Sequence, residues 1–286
     1  MLAVIGGTGI YKLDGLEVLN EQKIETPYGS HSGTITTGLF NQQKLLFLPR
    51  HGSGHELLPH EVNYRANIWA LKSLGATRVI GLSAVGSLQE EIAPGELSLV
   101  SQYFDFVKGQ REKSFFGNGL VAHVSTALPS CHHQSEQLLS AANSAEIGLH
   151  KEKTYACVDG PRLGSRAESL FLKNAAQCDV VGMTNVPEAF LAREAQLCYT
   201  TIAIATDYDC WKDDPSAHAS VEQIVARYDR SLALARELLR QYLKQQQETP
   251  HDNTQCNCRS ALKSALLSPE NNLGQEQKAL LEVLQK

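Results

Sequence analysis

The stretch Thr200-Thr201-Ile202-Ala203-Ile204-Ala205-Thr206-Asp207-Tyr208-Asp209-Cys210-Trp211 is an apolar run rich in β-branched residues that ends in two carboxylates. Such a run reads as a buried strand. Continued extended geometry would point Asp207 and Asp209 to one side and Tyr208 to the other. Open α/β sheets hold ligands outside the carboxyl ends of their strands, where these two acids stand. A polar loop that merely caps a strand would have the same composition, so the rest of the chain decides between them.

Working outward, other apolar runs end in a similar way. Leu2–Ile5 leads into Gly6-Gly7-Thr8-Gly9, where glycines allow close backbone approach to a ligand and Thr8 adds a hydroxyl. Lys44–Leu48 ends in Pro49-Arg50-His51-Gly52, and an Arg-His pair suits an anion such as phosphate. Arg78–Leu82 runs into the small, hydroxyl-bearing turn Ser83-Ala84-Val85-Gly86-Ser87, and Asp179–Met183 ends at Thr184. Leu97–Phe106 and Thr154–Val158 read as two further strands.

Helical signals fall between these runs. Tyr64, Ile68, Leu71 and Leu74 share one face of Val62–Leu74, with Gly75 behind it as a terminator. Asn185 is placed to cap the next helix, with Pro187 in its first turn and Glu188 early for the dipole. Ser220-Val221-Glu222-Gln223 is a capping-box pattern. It opens a helix to about Gln246 with Ile224, Tyr228, Leu232, Ala235, Leu239 and Tyr242 on its apolar side. Lys108–Ser130, polar and holding His123, reads as a long loop of the kind that is often functional.

The expected fold is therefore α/β: a twisted mixed, largely parallel sheet flanked by helices, with a C-terminal helical appendage. Residues 1–246 form the main domain and 247–286 a linker and helical extension. In that extension Leu262, Ala265, Leu266, Leu280, Leu281 and Leu284 recur at helical spacing, so it should dock.

Composition narrows the function. The chain has 286 residues, 42% of them hydrophobic, and a formal net charge of −5. It shows no basic face, so nucleic acid is not an expected partner. It contains no apolar run of membrane-spanning length. Met1-Leu2-Ala3-Val4-Ile5 reads as a first strand rather than a signal peptide, which makes the cytoplasm the expected compartment. Seven scattered cysteines do not make a secreted disulfide framework. Cys256-Asn257-Cys258 is a CxC with no second pair beside it, so free thiols and no metal are expected there.

Taken together, the hydroxyls of Thr8, Ser83 and Thr184 with Arg50-His51 could grip a phosphate dianion. Asp207 and Asp209 could accept donors from, or protonate, a nitrogenous base, with Met183 as a soft apolar contact between them. That describes a site for phosphate and a nucleoside at one edge of a sheet. A nucleotide-binding module without turnover is the competing class. Its dinucleotide loop would need GxGxxG and a ribose-binding acid about 20 residues on.

At these residues the sequence resembles a known family. The stretches Ile5–Gly9, Arg50-His51-Gly52, Val62–Leu71, Gly160-Pro161-Arg162, Ser165–Ser169, Met183-Thr184, Val186-Pro187-Glu188 and Ala205–Trp211 are similar to those of the trimeric purine nucleoside phosphorylases. They are nearest to the members that cleave 5′-methylthioadenosine. The resemblance covers residues 1 to about 245. It implies phosphorolysis of 5′-methylthioadenosine to adenine and 5-methylthioribose 1-phosphate, in purine and methionine salvage. A 5′-methylthioinosine or general purine nucleoside phosphorylase is the alternative.

It also implies roles. Thr8, Arg50, His51, Ser83, Ala84 and Thr184 match phosphate-binding positions. Met183 matches the residue beneath the ribose, Asp207 and Asp209 the purine-binding acids, and Asp207 the proton donor. His123 falls where a residue crosses a subunit interface towards the 5′ group. Gly164 and Val221 fall at specificity positions, with Leu163-Gly164 replacing a Phe-Ser pair of eukaryotic relatives. No cofactor is implied beyond inorganic phosphate as co-substrate. The implied assembly is a homotrimer, or a hexamer built as a dimer of trimers.

Overall fold

The computed structural model describes residues 1–7, 15–212, 221–248, 250–252 and 255–286, with the side chains of all but 221–230 and 270. Among these, nine strands form one sheet in the order β2-β3-β4-β1-β5-β8-β7-β6-β9. They are β1 (Leu2–Gly6), β2 (Leu16–Gln22), β3 (Ile35–Phe40), β4 (Gln43–Pro49), β5 (Arg78–Ser87), β6 (Leu97–Asp105), β7 (Leu149–Cys157), β8 (Val180–Gly182) and β9 (Cys198–Asp207). The helices are α1 (Tyr64–Ser73), α2 (His132–Ser144), α3 (Arg166–Asn174), α4 (Asn185–Glu194), α5 (Val221–Glu248) and α6 (Gln275–Gln285).

Period-two alternation assigns the two faces. Ala3 and Ile5 of β1, Leu46 and Leu48 of β4, Val79 of β5 and Tyr199 of β9 pack against α1 and α4. Their neighbours Leu2, Val4, Leu45, Phe47, Ile80, Ile202 and Ile204 pack against α2 and α5. Both faces of the central strands are thus covered, which is why β9 reads as a continuous apolar run. On α5, Leu232, Ala235, Leu239 and Tyr242 are buried as expected. Ser220 and the side chains of Ile224 and Tyr228 lie outside the described residues.

One end of the sheet closes on itself. β5 pairs in parallel with β9, β9 antiparallel with β6, β6 in parallel with β7, β7 in parallel with β8, and β8 antiparallel with the last two residues of β5. Val85, Val100, Tyr155, Cys157, Val180, Ala203 and Ala205 fill the space within this ring. The sheet is mixed and helix-flanked as expected, but the closure adds antiparallel rungs that no local pattern signals. The β2–β3 hairpin and α2 were also not legible. β2 is an edge strand with Val18 and Leu19 exposed, so it lacks alternation.

The C-terminal segment docks, but only its second helical pattern forms an α-helix, α6; Leu262 and Ala265 lie in turns after a short 3₁₀ stretch. Leu262, Ala265, Leu281 and Leu284 are buried in the cluster that contains α1 and α4. Burying a leucine contributes about 1.5–3 kcal/mol. Gln196 clasps the segment with its Oε1 accepting from Leu262 N–H (3.1 Å) and its Nε2 donating to the Leu284 carbonyl (3.5 Å). The segment also pairs with the 108–130 loop: Ala122 bridges Leu266, and His123 N–H donates to the Ala265 carbonyl at 2.9 Å. Truncation after Gln247 is therefore expected to lower Tm and increase binding of an apolar dye. An unchanged melting curve would show that these contacts contribute nothing.

Candidate active site

The site forms where β8 leaves β5. Their last rung is Gly86↔Val181. Two residues beyond it on each strand, Ser83-Ala84 faces Met183-Thr184. Ala84 is exposed although it lies within a strand of the sheet, which marks an opening there. Ser83 Oγ lies 3.1 Å from the Tyr155 hydroxyl and 3.5 Å from Thr184 Oγ1. Ser83 and Thr184 are both buried, so two of the expected phosphate hydroxyls share one polar pocket.

Arg50 reaches the same place. Its Nη1 donates to the carbonyl of Leu82, next to Ser83, at 2.7 Å. Nε and Nη2 each donate to Glu188 at 2.7 Å, a bidentate pair exposed by only 2% and 0%. The guanidinium fork is thus engaged within the protein by Glu188. The Arg50 charge stands next to the pocket through the contact with Leu82. Burial opposes the charged form of Arg50, but Glu188 outweighs it and holds the group firmly protonated.

His51 is likewise held by the protein's own groups. Its Nδ1–H donates to the Leu57 carbonyl at 2.9 Å, and its ring stacks on His55 at 4.7 Å. Burial and the Arg50 charge pull its pKa down to about 4. The ring is neutral near pH 7 and presents Nε2 as an acceptor, so it adds no positive charge. An NMR titration of His51 should show its midpoint near 4; an ordinary midpoint near 6.5 would contradict the described burial.

Asp207 ends β9 beside a β-bulge: Val85 pairs with Ala205 and Gly86 with Asp207, so Thr206 is the extra residue between them. Bulges bend a strand and re-aim its side chains. Thr206 Oγ1 donates to Asp207 Oδ1 at 2.8 Å, and Asp209 N–H donates to Asp207 Oδ2 at 3.0 Å. The expected same-side extended pair does not form. Asp209 has φ +38° and begins a 3₁₀ turn, so the acids are neighbours through a turn. Gly86 permits this crowding, since a Cβ there would lie 3.1 Å from Asp209 Cβ and 3.5 Å from Asp207 Oδ2. The turn is pinned by Trp211 Nε1–H donating to the Ser87 carbonyl at 2.8 Å. Cys210 Sγ–H donates to the Gly164 carbonyl at 3.3 Å, bringing Gly164 to the same rim with open space above its Cα.

Met183 lies over Gly160, where a Cβ would come within 2.4 Å of its sulfur. The glycine, at φ +66°, is thus required for both its conformation and its clearance. Arg111 holds this turn from the long loop, with Nη1 donating to the carbonyls of Met183 (2.8 Å) and Val186 (2.7 Å) and Nη2 to that of Asp159 (2.9 Å). Arg111, Tyr155 and Glu188 as the partner of Arg50 were missed as site-building residues. Only the long-loop signal pointed towards the first of them.

Asn185 does not cap α4. Its Nδ2 is buried and donates to the hydroxyls of Tyr199 (2.7 Å) and Thr201 (2.9 Å), while Thr184 takes the cap position without a side-chain bond. Thr8 lies outside the described residues, as does the side chain of Val221. His123 is exposed and is not gathered with the pocket residues within this chain. Cys256 and Cys258 are accompanied in space by Cys131 and Cys198, which the spacing could not show.

Glu194 anchors the long loop by accepting from Phe115 N–H (2.7 Å) and Ser114 Oγ–H (2.8 Å). Burial raises its pKa from 4.5 to about 7. Folding therefore favours the protonated acid, and this contribution is complete below pH 4.5 and lost as pH rises through about 7. Glu194→Gln keeps a neutral hydrogen-bonding group at every pH. Its Tm relative to the wild type should rise between about pH 5 and pH 8; a pH-independent difference would rule out titration of this group.

A closed β-ring abutting a mixed sheet, with hydroxyls and a buried arginine at one point of β5 and carboxylates at another, defines a nucleoside-phosphorylase type of site. The phosphorylase superfamily model matches residues 1–244, and the chain belongs to that superfamily. Within it, the chain is 42% identical to the S-methyl-5′-thioadenosine phosphorylase of Geobacter sulfurreducens, over 99% of this chain and 97% of that one. It is 44% identical to that of Hyperthermus butylicus, over 93% and 95%. A solved methylthioadenosine phosphorylase from an Antarctic soil metagenomic library superposes with a TM-score of 0.92 at 40% identity, covering 99% and 98%. The Schistosoma mansoni methylthioadenosine phosphorylase in complex with adenine superposes at 0.87 with 34% identity, covering 94% and 99%.

Proposed function

We infer that the protein catalyses phosphorolysis of 5′-methylthioadenosine, releasing adenine and 5-methylthioribose 1-phosphate in purine and methionine salvage. The observation that carries this reading is the register along β5. Ser83 belongs to the hydroxyl pocket with Arg50 and Thr184, and Gly86 pairs with Asp207. Three residues of strand separate the two by about 10 Å. That span suits a nucleoside with phosphate at its anomeric carbon and its base at the acids.

The reaction follows from charge. Breaking the N-glycosidic bond leaves positive charge on the ribosyl ring and negative charge on the base. Phosphate held by Ser83, Thr184 and Thr8 beside the Arg50 charge stabilises the first and attacks the anomeric carbon from the opposite face. His51 Nε2 accepts a hydrogen bond from phosphate rather than donating one. Asp207 gives a proton to N7 of the leaving purine, and Asp209 accepts from the 6-amino group. Met183 supports the ribose. No cofactor enters this scheme.

The decisive experiment is a panel of methylthioadenosine, methylthioinosine, adenosine and inosine, each with and without phosphate. Adenine should appear from methylthioadenosine only with phosphate. Release without phosphate would indicate a hydrolase, and preference for methylthioinosine would move the reading to the 6-oxopurine enzymes.

The active unit in this reading is a trimer in which His123 completes a neighbour's 5′ pocket. Exposed Val121 and Leu267 adjoin it through the Leu267 N–H to Val121 carbonyl bond of 2.9 Å, giving that surface an apolar patch. A fully active monomer by light scattering would contradict it. No described helix is long and apolar enough to cross a membrane.

A further inference from the structure

Four of the seven thiols meet at the opposite end of β9 from the acids. Cys198 opens the strand that Asp207 closes, so the two places are about 30 Å apart by strand rise. Cys131 caps α2, with its Sγ accepting from Gln134 N–H at 3.5 Å, and its own N–H donates to the Tyr199 carbonyl at 2.8 Å. Those two bonds lock it beside Cys198. The C-terminal segment brings Cys256 and Cys258. The Sγ atoms of Cys198 and Cys256 are 3.5 Å apart, and each of the four thiols interacts with the other three. His251 Nε2 lies 3.5 Å from Cys198 Sγ, and the ligand atoms of Cys131, Cys198, His251 and Cys256 all fall within 4.8 Å of one another.

We propose that Cys131, Cys198, Cys256 and Cys258 bind one zinc ion as a tetrahedral thiolate site, with His251 at its edge. A metal–sulfur bond of 2.3 Å in a tetrahedron sets sulfur–sulfur edges of about 3.8 Å, close to the observed separation. A disulfide would bring two sulfurs to about 2.05 Å, whereas Cys198 and Cys256 stand 3.5 Å apart and all four residues are thiols. Cysteines buried only as small apolar residues would disperse among carbon neighbours. Here Cys131, Cys198 and Cys258 are buried against one another, with Cys256 half-buried beside them. Soft, four-sulfur tetrahedral sets select zinc or iron.

The surroundings fit the charge of such a centre. Four thiols take up Zn²⁺ by releasing four protons, which leaves a net charge of −2. Lys72 is fully buried, its Nζ has no hydrogen-bond partner among the described residues, and it interacts electrostatically with Cys198 and Arg259. A buried ammonium without a counter-charge is costly, and a zinc-thiolate dianion supplies one. His251 is oriented by its Nδ1 contact with Gln137 Oε1 at 2.8 Å, as expected of a residue steadying metal ligands. The ion ties α2, β9 and the C-terminal segment together. It thereby secures the segment on which the His123 loop rests.

The test is elemental analysis of the full chain purified without chelator and under reductant. The expected result is about one zinc per chain, released by a thiol-specific mercurial. Cys198→Ser and Cys256→Ser should lose it, while Cys178→Ala, a core thiol elsewhere, should keep it. Should the serine variants fail to fold, the wild type stripped by chelator and reloaded with Co²⁺ should show thiolate-to-cobalt charge transfer and tetrahedral ligand-field bands. Stripping should also lower Tm, with recovery on zinc addition. No zinc above background after incubation with zinc and reductant would overturn the proposal. So would iron in its place, or disulfides among these four cysteines in the reduced preparation.

Discussion

Asp207→Asn is expected to lower kcat on 5′-methylthioadenosine by on the order of 10²–10⁴-fold, the usual loss when a positioned acid is removed. The KM for phosphate should stay near its wild-type value, since the hydroxyl pocket at Ser83 and Thr184 lies about 10 Å along β5. The asparagine oxygen can still accept from Thr206 Oγ1 or from Asp209 N–H, so the turn should survive. What is lost is the capacity to carry a proton to the departing base. Steady-state kinetics with each substrate varied in turn separates these effects. Turnover close to wild type would remove Asp207 from the proton-transfer step, and a large rise in phosphate KM would place the anion nearer the acids.

The largest expected effect on stability is at Glu188. The Arg50–Glu188 pair is sealed from solvent, and Tyr199 O–H adds a 2.7 Å bond to Glu188 Oε1. Removing one partner of a buried pair typically costs about 3–5 kcal/mol, because the other charge is left uncompensated. Glu188→Gln should therefore lower Tm by on the order of 10 °C in a chain of this size. Replacing both residues by apolar ones of similar volume should recover much of that loss without restoring phosphorolysis. The pair is thus expected to be dispensable for folding and required for the anion. Thermal melts and phosphate KM of the single and double variants test both parts. A double variant that retains phosphate affinity would show that Arg50 lies outside the anion site.

These expectations rest on contacts of different legibility. The strand of Cys198–Asp207, the face of α1 and the buried side of α5 were readable because hydrophobic periodicity reports directly which side of an element is covered. The hydroxyls and acids at strand ends were readable as residue types. Their functions were not, because Arg50 carries the same letter whether its fork meets phosphate or Glu188. The same limit applies to His51, whose neutrality comes from burial and a neighbouring charge.

The sequence by itself determined the α/β layering, the placing of hydroxyls and acids at strand ends and the apolar face of α6, since each depends on spacing within one segment. Only the tertiary structure decided the closure of the ring, the bulge that aims Asp207, the pairing of Arg50 with Glu188 across 138 positions and the meeting of Cys131 and Cys198 with Cys256 and Cys258. Those features depend on strand register and on which distant segments share a face. Local periodicity constrains which face a residue takes, and leaves open which partner it meets there.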